Sequence, residues 1–317
     1  MKAVHTPVLL EEVIGLFSPK PGNSLVDVTL GHGGHTATYL SETAPDGEVV
    51  GLDADPEAIA VAKDRLKEFK DRVTYINSNF AYLKEAINGG GDKPSKKYTH
   101  ILFDLGLGSH QIADTDRGFS FTSGKGLSML YGDRPLPPSS LQYLNWLEQK
   151  LQRLPDVSDI LDRLRQEDLS HLIRTYGEER FSGRIARVIK ENAHKVATAQ
   201  DLAEVISSSV PSQYRHGRIH PATRTFQALR LAVNRELESL QTALPQALDL
   251  LEQDGKIAVI SFHSLEDRLV KQFFKQQAGK DIGALKILTK KPVTASEEEV
   301  EKNPRSRSAK LRVAQKT

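Results

Sequence analysis

The sequence predicts an α/β protein that has a parallel, doubly wound sheet and an inserted all-helical domain. Short β-rich segments alternate with helical segments in the first third of the chain, this alternation stops after Asp104, and a strand followed by a helix returns near Ile257. Strand, helix, strand at this rhythm is typical of a parallel sheet with helices on both faces. With 317 residues, the chain is long enough for a second domain.

The predicted strands are residues 24–28, 48–53, 73–76, 100–104 and 257–261, with 285–288 and 310–313 as candidates to complete the sheet. A glycine-rich turn, residues 31–34, follows the first strand and leads into a helix that begins near His35. After the second strand, Asp55 is a helix N-cap and Pro56 suits the first helical position. These signals give the first half of a nucleotide-binding sheet.

The middle of the chain has a different pattern. Residues 114–138 are rich in Gly, Pro, Ser and Asp and indicate a long loop, and residues 141–210 are helical with inward-facing positions such as Leu161, Leu164, Leu169, Leu172 and Ile173. A long amphipathic helix is predicted from about Thr223 until Pro245 bends or breaks it. We therefore expect a cofactor domain formed by 1–115 and 222–317, and an inserted substrate-recognition domain formed by 116–221.

Composition limits the function classes. No stretch approaches the roughly 20 apolar residues of a membrane helix, and acids occupy the place of a signal peptide's apolar segment, so we expect a cytoplasmic protein that does not bind membranes. The absence of cysteine excludes disulfides and thiolate metal sites, and no metal site is predicted. Although the net charge is only +2, residues 214–235 and those after Glu301 are basic and contain no acid. Each cluster indicates either a polyanion site or a solvated face.

The glycine turn and the next strand indicate a nucleotide-like cofactor. The turn Gly31-His32-Gly33-Gly34 lets backbone approach a ligand, and Asp53 ends the second strand 20 residues after Gly33, where a carboxylate can accept both hydroxyls of an adenosine ribose. A tight turn without a ligand is the alternative. These residues alone do not separate a methyltransferase from a nicotinamide dehydrogenase, although the third glycine of the dinucleotide pattern is missing.

Two later residues lie at the same predicted sheet edge. Phe80 can cover an adenine face, and Asp104 ends the fourth strand. Core packing for Phe80 and a capping role for Asp104 are the alternatives. The segment His263–Arg268 also follows a strand and is therefore expected at this edge. The alternative interpretation is that Ser264 and Asp267 form a capping box.

Eight sequence blocks, spread over nearly the whole chain, match the motifs of one family. The blocks are His5–Leu10, Asp27–His35, Phe103–Gly106, Arg117–Phe121, Tyr176–Arg180, His220–Arg230, Ser261–Arg268 and Asn303–Arg312. Through them the chain resembles the bacterial ribosomal small-subunit (16S-type) RNA cytosine-N4 methyltransferases. The resemblance implies a class I, Rossmann-like methyltransferase sheet that binds S-adenosylmethionine. It also implies direct methyl transfer to the N4 amine of a cytidine.

By this resemblance the cofactor-binding residues are Gly33, Gly34, His35, Asp53, Phe80, Asp104 and Gln111. Asp104 is also the candidate catalytic residue, as the acceptor of a hydrogen bond from the cytidine amine, and cofactor binding explains it equally well. The candidate substrate-binding residues are Arg117, Phe119, Arg224, Arg230, Ser264, Arg305 and Arg307. The arginines would contact phosphate, and Phe119 or Phe121 would stack a base, with structural packing as the alternative for the phenylalanines.

The resemblance fails at three places. The family's Asp-Met-Arg-Met stretch is replaced by Gly126–Tyr131, its Ser-Ser-Pro-Gln is replaced by Gly108–Gln111, and the segment from about Asp133 to Arg165 departs from the family and is longer than usual. A non-catalytic RNA-binding factor of ribosome assembly is therefore the main alternative function. The expected partner is small-subunit ribosomal RNA or the assembled small subunit, and the sequence does not determine the oligomeric state.

Overall fold

The computed structural model describes residues 6–89, 96–106, 108, 116–132, 135–215, 217 and 219–317. The chain divides into two compact units, Met1–Gly108 with Ser239–Thr317 and Ser109–Glu238. The division near residue 238 differs from the predicted boundary at 222. The other predicted boundary, after residue 115, adjoins residues 109–115, which lie outside the described residues.

The first unit contains a seven-stranded sheet whose order is β3-β2-β1-β4-β5-β7-β6. The strands are β1 (Ser24–Asp27), β2 (Glu48–Asp53), β3 (Val73–Asn77), β4 (Tyr98–Asp104), β5 (Leu251–Ser261), β6 (Leu285–Ile287) and β7 (Lys310–Lys316). β1 to β5 are parallel, and β7 is antiparallel to both of its neighbours. The predicted doubly wound α/β fold is confirmed.

Helices cover both faces of this sheet. They are α1 (Leu10–Phe17), α2 (Gly34–Glu42), α3 (Pro56–Arg65), α4 (Leu83–Asn88), α12 (Glu236–Leu250), α13 (Ser264–Gln277) and α14 (Glu297–Lys302). Side chains alternate between the faces of a strand, and in β4 Ile101 and Phe103 belong to one apolar cluster while Leu102 belongs to another. Each face of the sheet therefore has its own buried core.

The second unit is helical. Among its described residues are the helices α5 (Gln142–Leu151), α6 (Val157–Arg163), α7 (Gln166–Gly177), α8 (Ser182–Glu191), α9 (Ala199–Ser209), α10 (Ser212–Arg215) and α11 (Thr223–Asn234). The predicted inward positions Leu161, Leu164, Leu169, Leu172 and Ile173 are all buried, as predicted. In two of these helices a side-chain cap satisfies N–H groups of the first turn, Asp156 with Asp159 and Thr198 with Asp201.

Close packing explains why α11 belongs to this second unit. A Cβ at Gly177, the last residue of α7, would lie 2.6 Å from the carbonyl oxygen of Arg224, so the glycine allows the two backbones to meet. The side chain of Gln227 also donates a hydrogen bond to the carbonyl of Tyr176 at 3.2 Å. Sequence spacing shows the apolar face of α11 but not the helix against which that face packs.

The predicted single helix from Thr223 to Pro245 is wrong. The helix ends at Asn234, Arg235 adopts a left-handed conformation with φ 49°, and α12 then runs through Pro245. The buried guanidinium of Arg235 explains the break, because it donates to the carbonyl of Ala232 at 2.8 Å and contacts Glu148 at 3.2 Å. Proline removes one helical hydrogen bond, and the buried apolar face of α12 offsets that loss.

Within the parts of the chain that the structure describes, no helix combines the length and the apolarity that crossing a membrane requires.

Candidate functional site

Three carboxylates lie at the carboxyl edge of the parallel sheet. β1 ends at Asp27, and its register pairs Asp27 with Gly51 of β2 and with Leu102 of β4. Asp53 and Asp104, the last residues of β2 and β4, therefore extend two residues further on either side of β1. This is the edge at which open α/β sheets bind ligands.

Asp53 ties the glycine turn to the next helix. Its Oδ2 accepts a hydrogen bond from the N–H of Gly31 at 2.8 Å, and its Oδ1 accepts one from the N–H of Asp55 at 2.8 Å. Asp55 in turn caps α3, as predicted, by accepting a hydrogen bond from the N–H of Glu57. The turn, the acid and the helix start are thus held as one structure.

The two glycines that begin α2 are required by packing. Gly33 has φ 71°, and a Cβ there would lie 2.8 Å from a methyl carbon of Leu66. At Gly34 a Cβ would lie 2.4 Å from Cγ of Pro7. Because the first N–H groups of a helix have no partner within it, this close-packed turn points a row of donors at the sheet edge, as anion and nucleotide sites require.

His35 connects α2 to the N-terminal segment and to Asp104. Its buried imidazole has Nε2 at 3.1 Å from the carbonyl oxygen of Val8 and Nδ1 at 3.8 Å from Oδ2 of Asp104. A carbonyl only accepts hydrogen bonds, so Nε2 carries the proton and, in the neutral ring, Nδ1 faces Asp104 with its lone pair.

The carboxyl group of Asp104 has a raised pKa. Burial, with a further contribution from the carboxylate of Asp27, raises the pKa of Asp104 to about 7. Its N–H donates to Oγ1 of Thr29 at 2.6 Å, while its Oδ1 is buried without a hydrogen-bond partner among the described residues. An acceptor of this kind indicates that a bound molecule supplies the missing donor.

Asp27 and Thr29 are site residues that the sequence analysis did not single out. Burial raises the pKa of Asp27 to about 6, while Oγ1 of Thr36 donates to its Oδ2 at 2.8 Å. The signal was available, because Asp27 ends a strand next to the glycine turn just as Asp53 and Asp104 end theirs.

Phe80 and Gln111 complete the predicted cofactor set. Phe80 is half-buried and meets Phe103 edge-on, with ring centroids 6.0 Å apart, so one part of the ring packs on the core. Gln111 lies outside the described residues. The structure therefore brings Gly33, Gly34, His35, Asp53 and Asp104 to one edge, with Phe80 following the neighbouring strand β3.

The N-cap of α13 is His263, and the predicted capping box of Ser264 and Asp267 is wrong. Oε2 of Glu266 accepts from the N–H of Phe262 at 2.8 Å, and Nδ1 of His263 accepts from the N–H of Glu266 at 3.4 Å. Asp267 instead forms an ion pair with Arg312 of β7 at 2.7 Å. Because Asp267 is paired with the buried Arg312 of β7, which is distant in sequence, the N-cap is His263, one residue before the expected Ser264.

The candidate RNA-contacting residues have different surroundings. Arg230 forms a mostly buried ion pair with Glu236 at 2.8 Å, and this intramolecular pairing argues against its predicted phosphate contact. Arg224 donates to the carbonyl of Glu178 at 3.3 Å. Ser264, Arg305 and Arg307 are exposed on the first unit.

Phe119 is packed rather than presented for stacking. It is buried and stacks on Tyr131 with ring centroids 5.6 Å apart, while the guanidinium of Arg117 lies 5.7 Å from its ring centroid. Phe121 stacks on His220 at 4.7 Å and meets Phe226 edge-on. The packing alternative therefore describes both phenylalanines in this structure.

The segment that departs from the family pattern, Gly126–Tyr131, is built into the second unit. Met129 is fully buried, and its N–H donates to the carbonyl of Arg117 at 2.8 Å. The N–H of Tyr131 donates to Asn234 at 2.9 Å, and its hydroxyl donates to Glu236 at 3.0 Å. The substituted residues thus have structural partners of their own.

Comparison with known proteins agrees with this site. The model of the MraW methylase family matches residues 2–317. The chain is 43% identical over 332 residues to a ribosomal RNA small subunit methyltransferase H of Heliobacterium mobile, covering 100% of both chains. It is 43% identical over 312 residues to the protein of the same name from Nostoc sp., covering 98% of this chain and 92% of that one.

A solved structure of an rRNA methylase from Streptococcus thermophilus is 11% identical, covers 99% of each chain and has a TM-score of 0.43. The full-length family match contradicts the dehydrogenase alternative. The chain belongs to the MraW methylase family, whose members are S-adenosylmethionine-dependent methyltransferases.

Proposed function

We propose that this protein transfers the methyl group of S-adenosylmethionine to the exocyclic N4 amine of a cytidine in small-subunit ribosomal RNA. The name shared by the 43% identical relatives supports the ribosomal RNA substrate. The observation that supports a cytidine amine as the methyl acceptor concerns Asp104. This strand-end carboxyl group has an Oδ1 that lacks a hydrogen-bond partner among the described residues.

The residues present fit the cofactor. Asp53 ends β2 at the carboxyl edge, and its carboxylate oxygens are acceptors of the kind to which ribose hydroxyls donate. The N–H groups at the start of α2, after Gly33, suit the carboxylate of the cofactor. Phe80, which follows β3, offers an apolar ring to its adenine. The cofactor supplies an activated methyl group on a sulfonium.

Asp104 then orients the acceptor. The lone pair of a cytosine amine is delocalised into the ring, so placement of the amine against the methyl carbon accounts for much of the rate. In its ionised form Asp104 accepts a hydrogen bond from that amine and draws its proton as the nitrogen–carbon bond forms and the sulfur–carbon bond breaks. No covalent bond to the protein is needed.

Nucleoside mass spectrometry of small-subunit ribosomal RNA tests the proposal. Deletion of the coding gene should remove N4-methylcytidine, the wild-type protein should restore it, and Asp53→Ala should not. Asp64→Ala, which changes an exposed acid of α3, is the matched control and should restore the modification. An unchanged nucleoside profile after deletion would contradict the proposal.

The altered segment Gly126–Tyr131 supports one alternative function. In this alternative the protein binds ribosomal RNA during ribosome assembly and does not transfer a methyl group. Cofactor binding and RNA binding without turnover on either free ribosomal RNA or assembled small subunits would favour it. Either substrate implies a cytoplasmic location.

A further inference from the structure

We infer that Arg180 and Arg224, arranged around Tyr214 in the helical unit, form a phosphate-binding site for the RNA. The inference rests on the proposed function, because it takes the RNA to be the substrate. It adds a binding site in the second unit that does not include any of the predicted cofactor-binding residues.

The guanidinium of Arg180 is held by two aromatic rings. Its central carbon lies 4.6 Å from the ring centroid of Phe181 and 5.1 Å from that of Tyr214, and the two rings meet edge-on at 5.1 Å. Arg180 is exposed to solvent. A guanidinium stacked on rings keeps its N–H edge available and loses little conformational entropy when it binds an oxyanion.

A buried carboxylate fixes this platform. Glu179 has no exposed surface, and its Oε1 accepts from the N–H of Phe181 at 2.8 Å while its Oε2 accepts from the hydroxyl of Tyr214 at 2.7 Å. Both rings beneath Arg180 are therefore positioned by one side chain. The carboxylate uses its oxygens for this purpose and does not pair with Arg180.

Arg224 adds a second positive charge to the same place. Its Nη1 donates to the carbonyl of Glu178 at 3.3 Å, and the charges of both arginines lower the pKa of Tyr214, against the larger raising effect of burial. Glu178 directly precedes Glu179, whose carboxylate binds the hydroxyl of Tyr214, so Arg224 is held next to the segment that positions this ring. Together they form a local positive charge on a chain whose net charge is only +2.

Several arginines of the same unit are neutralised by carboxylates, whereas the two arginines of this site are not. Examples of the paired arginines are Arg153 with Asp159 at 2.7 Å, Arg165 with Asp168 at 2.8 Å and Arg230 with Glu236 at 2.8 Å. Within the described part of the chain, no carboxylate lies at ion-pair distance from Arg180 or Arg224. A bound phosphate can supply the charge that the fold does not.

RNA binding measured against salt concentration tests the site. The probe is small-subunit ribosomal RNA transcribed in vitro, titrated by filter binding between about 50 and 200 mM KCl, the range over which phosphate contacts weaken steeply. Arg180→Ala should weaken binding about tenfold. It should also reduce the slope of log K against log salt by about 0.7 to 0.9, and the double variant with Arg224→Ala by about twice that.

Arg174→Ala is the matched control, because Arg174 is an exposed arginine of α7 in the same unit that contacts neither an aromatic ring nor a carboxylate among the described residues. It should leave both affinity and slope unchanged. Calorimetric binding of S-adenosylmethionine should be unchanged in every variant, which shows that each is folded.

The outcomes separate the two proposals. If the wild type binds and methylates the RNA but Arg180→Ala keeps the wild-type slope, or if Arg174→Ala lowers it equally, the site is wrong and the proposed function stands. If the wild-type protein neither binds nor methylates ribosomal RNA, both are overturned.

Discussion

His35 holds a fixed orientation against Asp104, with Nδ1 of the imidazole 3.8 Å from Oδ2 of the carboxyl group and Nε2 bound to the carbonyl of Val8 at 3.1 Å. The N-terminal segment therefore determines which nitrogen faces Asp104. The contact links residues near the start of the chain to the end of β4, the strand that carries the candidate catalytic group.

Turnover should depend on the ionisation of Asp104. Because the pKa of this carboxyl group is raised to about 7, the single-turnover methylation rate should rise as pH increases through about 7, when the group loses its proton. Asp104→Asn should lower the rate about 10²- to 10⁴-fold and abolish this dependence. Rapid-quench measurements from pH 5.5 to 8.5, with cofactor affinity measured in parallel, check this.

If Asp104→Asn loses cofactor affinity while its rate at saturating cofactor stays normal, Asp104 binds the cofactor and does not act on the amine. Wild-type rates that are flat across this pH range would also exclude the catalytic role.

The same carboxyl group should make the protein less stable as pH rises. Its folded pKa, about 7, lies above the unfolded value of 3.8, so the folded state holds the proton more tightly and the unfolding free energy falls between about pH 4 and pH 7. Asp104→Asn removes this pH-dependent loss of unfolding free energy. It should therefore be more stable than the wild type at pH 8, by about 2 to 4 kcal/mol at roughly 1.4 kcal/mol per pKa unit.

Thermal denaturation at pH 5 and pH 8 measures the difference. Asp249→Asn is the control, because this exposed carboxylate pairs only at the surface with Lys84, and its variant should follow the wild-type pH dependence. Equal pH dependence of Asp104→Asn and the wild type would show that Asp104 is not perturbed.

Two glycine substitutions should have opposite effects. Gly34→Ala places a Cβ 2.4 Å from Pro7, so the N-terminal segment must shift, and we expect a loss of about 1 to 3 kcal/mol in unfolding free energy together with weaker cofactor binding. Gly15→Ala lies within α1 with no atom within 4 Å of the new Cβ, and should stabilise the protein by about 0.5 to 1 kcal/mol. Chemical denaturation of both variants provides the test, and a neutral Gly34→Ala would contradict the packing argument.

Arg230 should behave as a structural residue. Replacement by Met leaves Glu236 mostly buried without its ion partner, which should destabilise the protein by about 3 to 5 kcal/mol. The double variant Arg230→Met with Glu236→Gln should recover part of that loss, because no unpaired charge remains. If Arg230→Met is instead as stable as the wild type but binds RNA more weakly, the result would support the phosphate contact that the sequence predicted for Arg230.

Local patterns predicted much of the first unit. Strand β2 is found at the predicted residues 48–53, and Asp55 caps α3 as expected, because caps, prolines and apolar spacing act over a few residues. Asp53 and Asp104 were identified for the same reason: polar residues at the ends of parallel strands meet at one edge of a sheet. The side-chain roles themselves remain predictions.

Long-range packing decided the remainder. The break at Arg235 depends on a buried guanidinium that reaches Glu148, and the cap at His263 depends on Asp267 being paired with Arg312. The site at Arg180 needs Tyr214 beneath the guanidinium, 34 positions later in the chain. The sequence by itself determined the fold class and the family. Only the tertiary structure decided which charged side chains pair with each other, because ion pairing depends on distances between residues far apart in the chain.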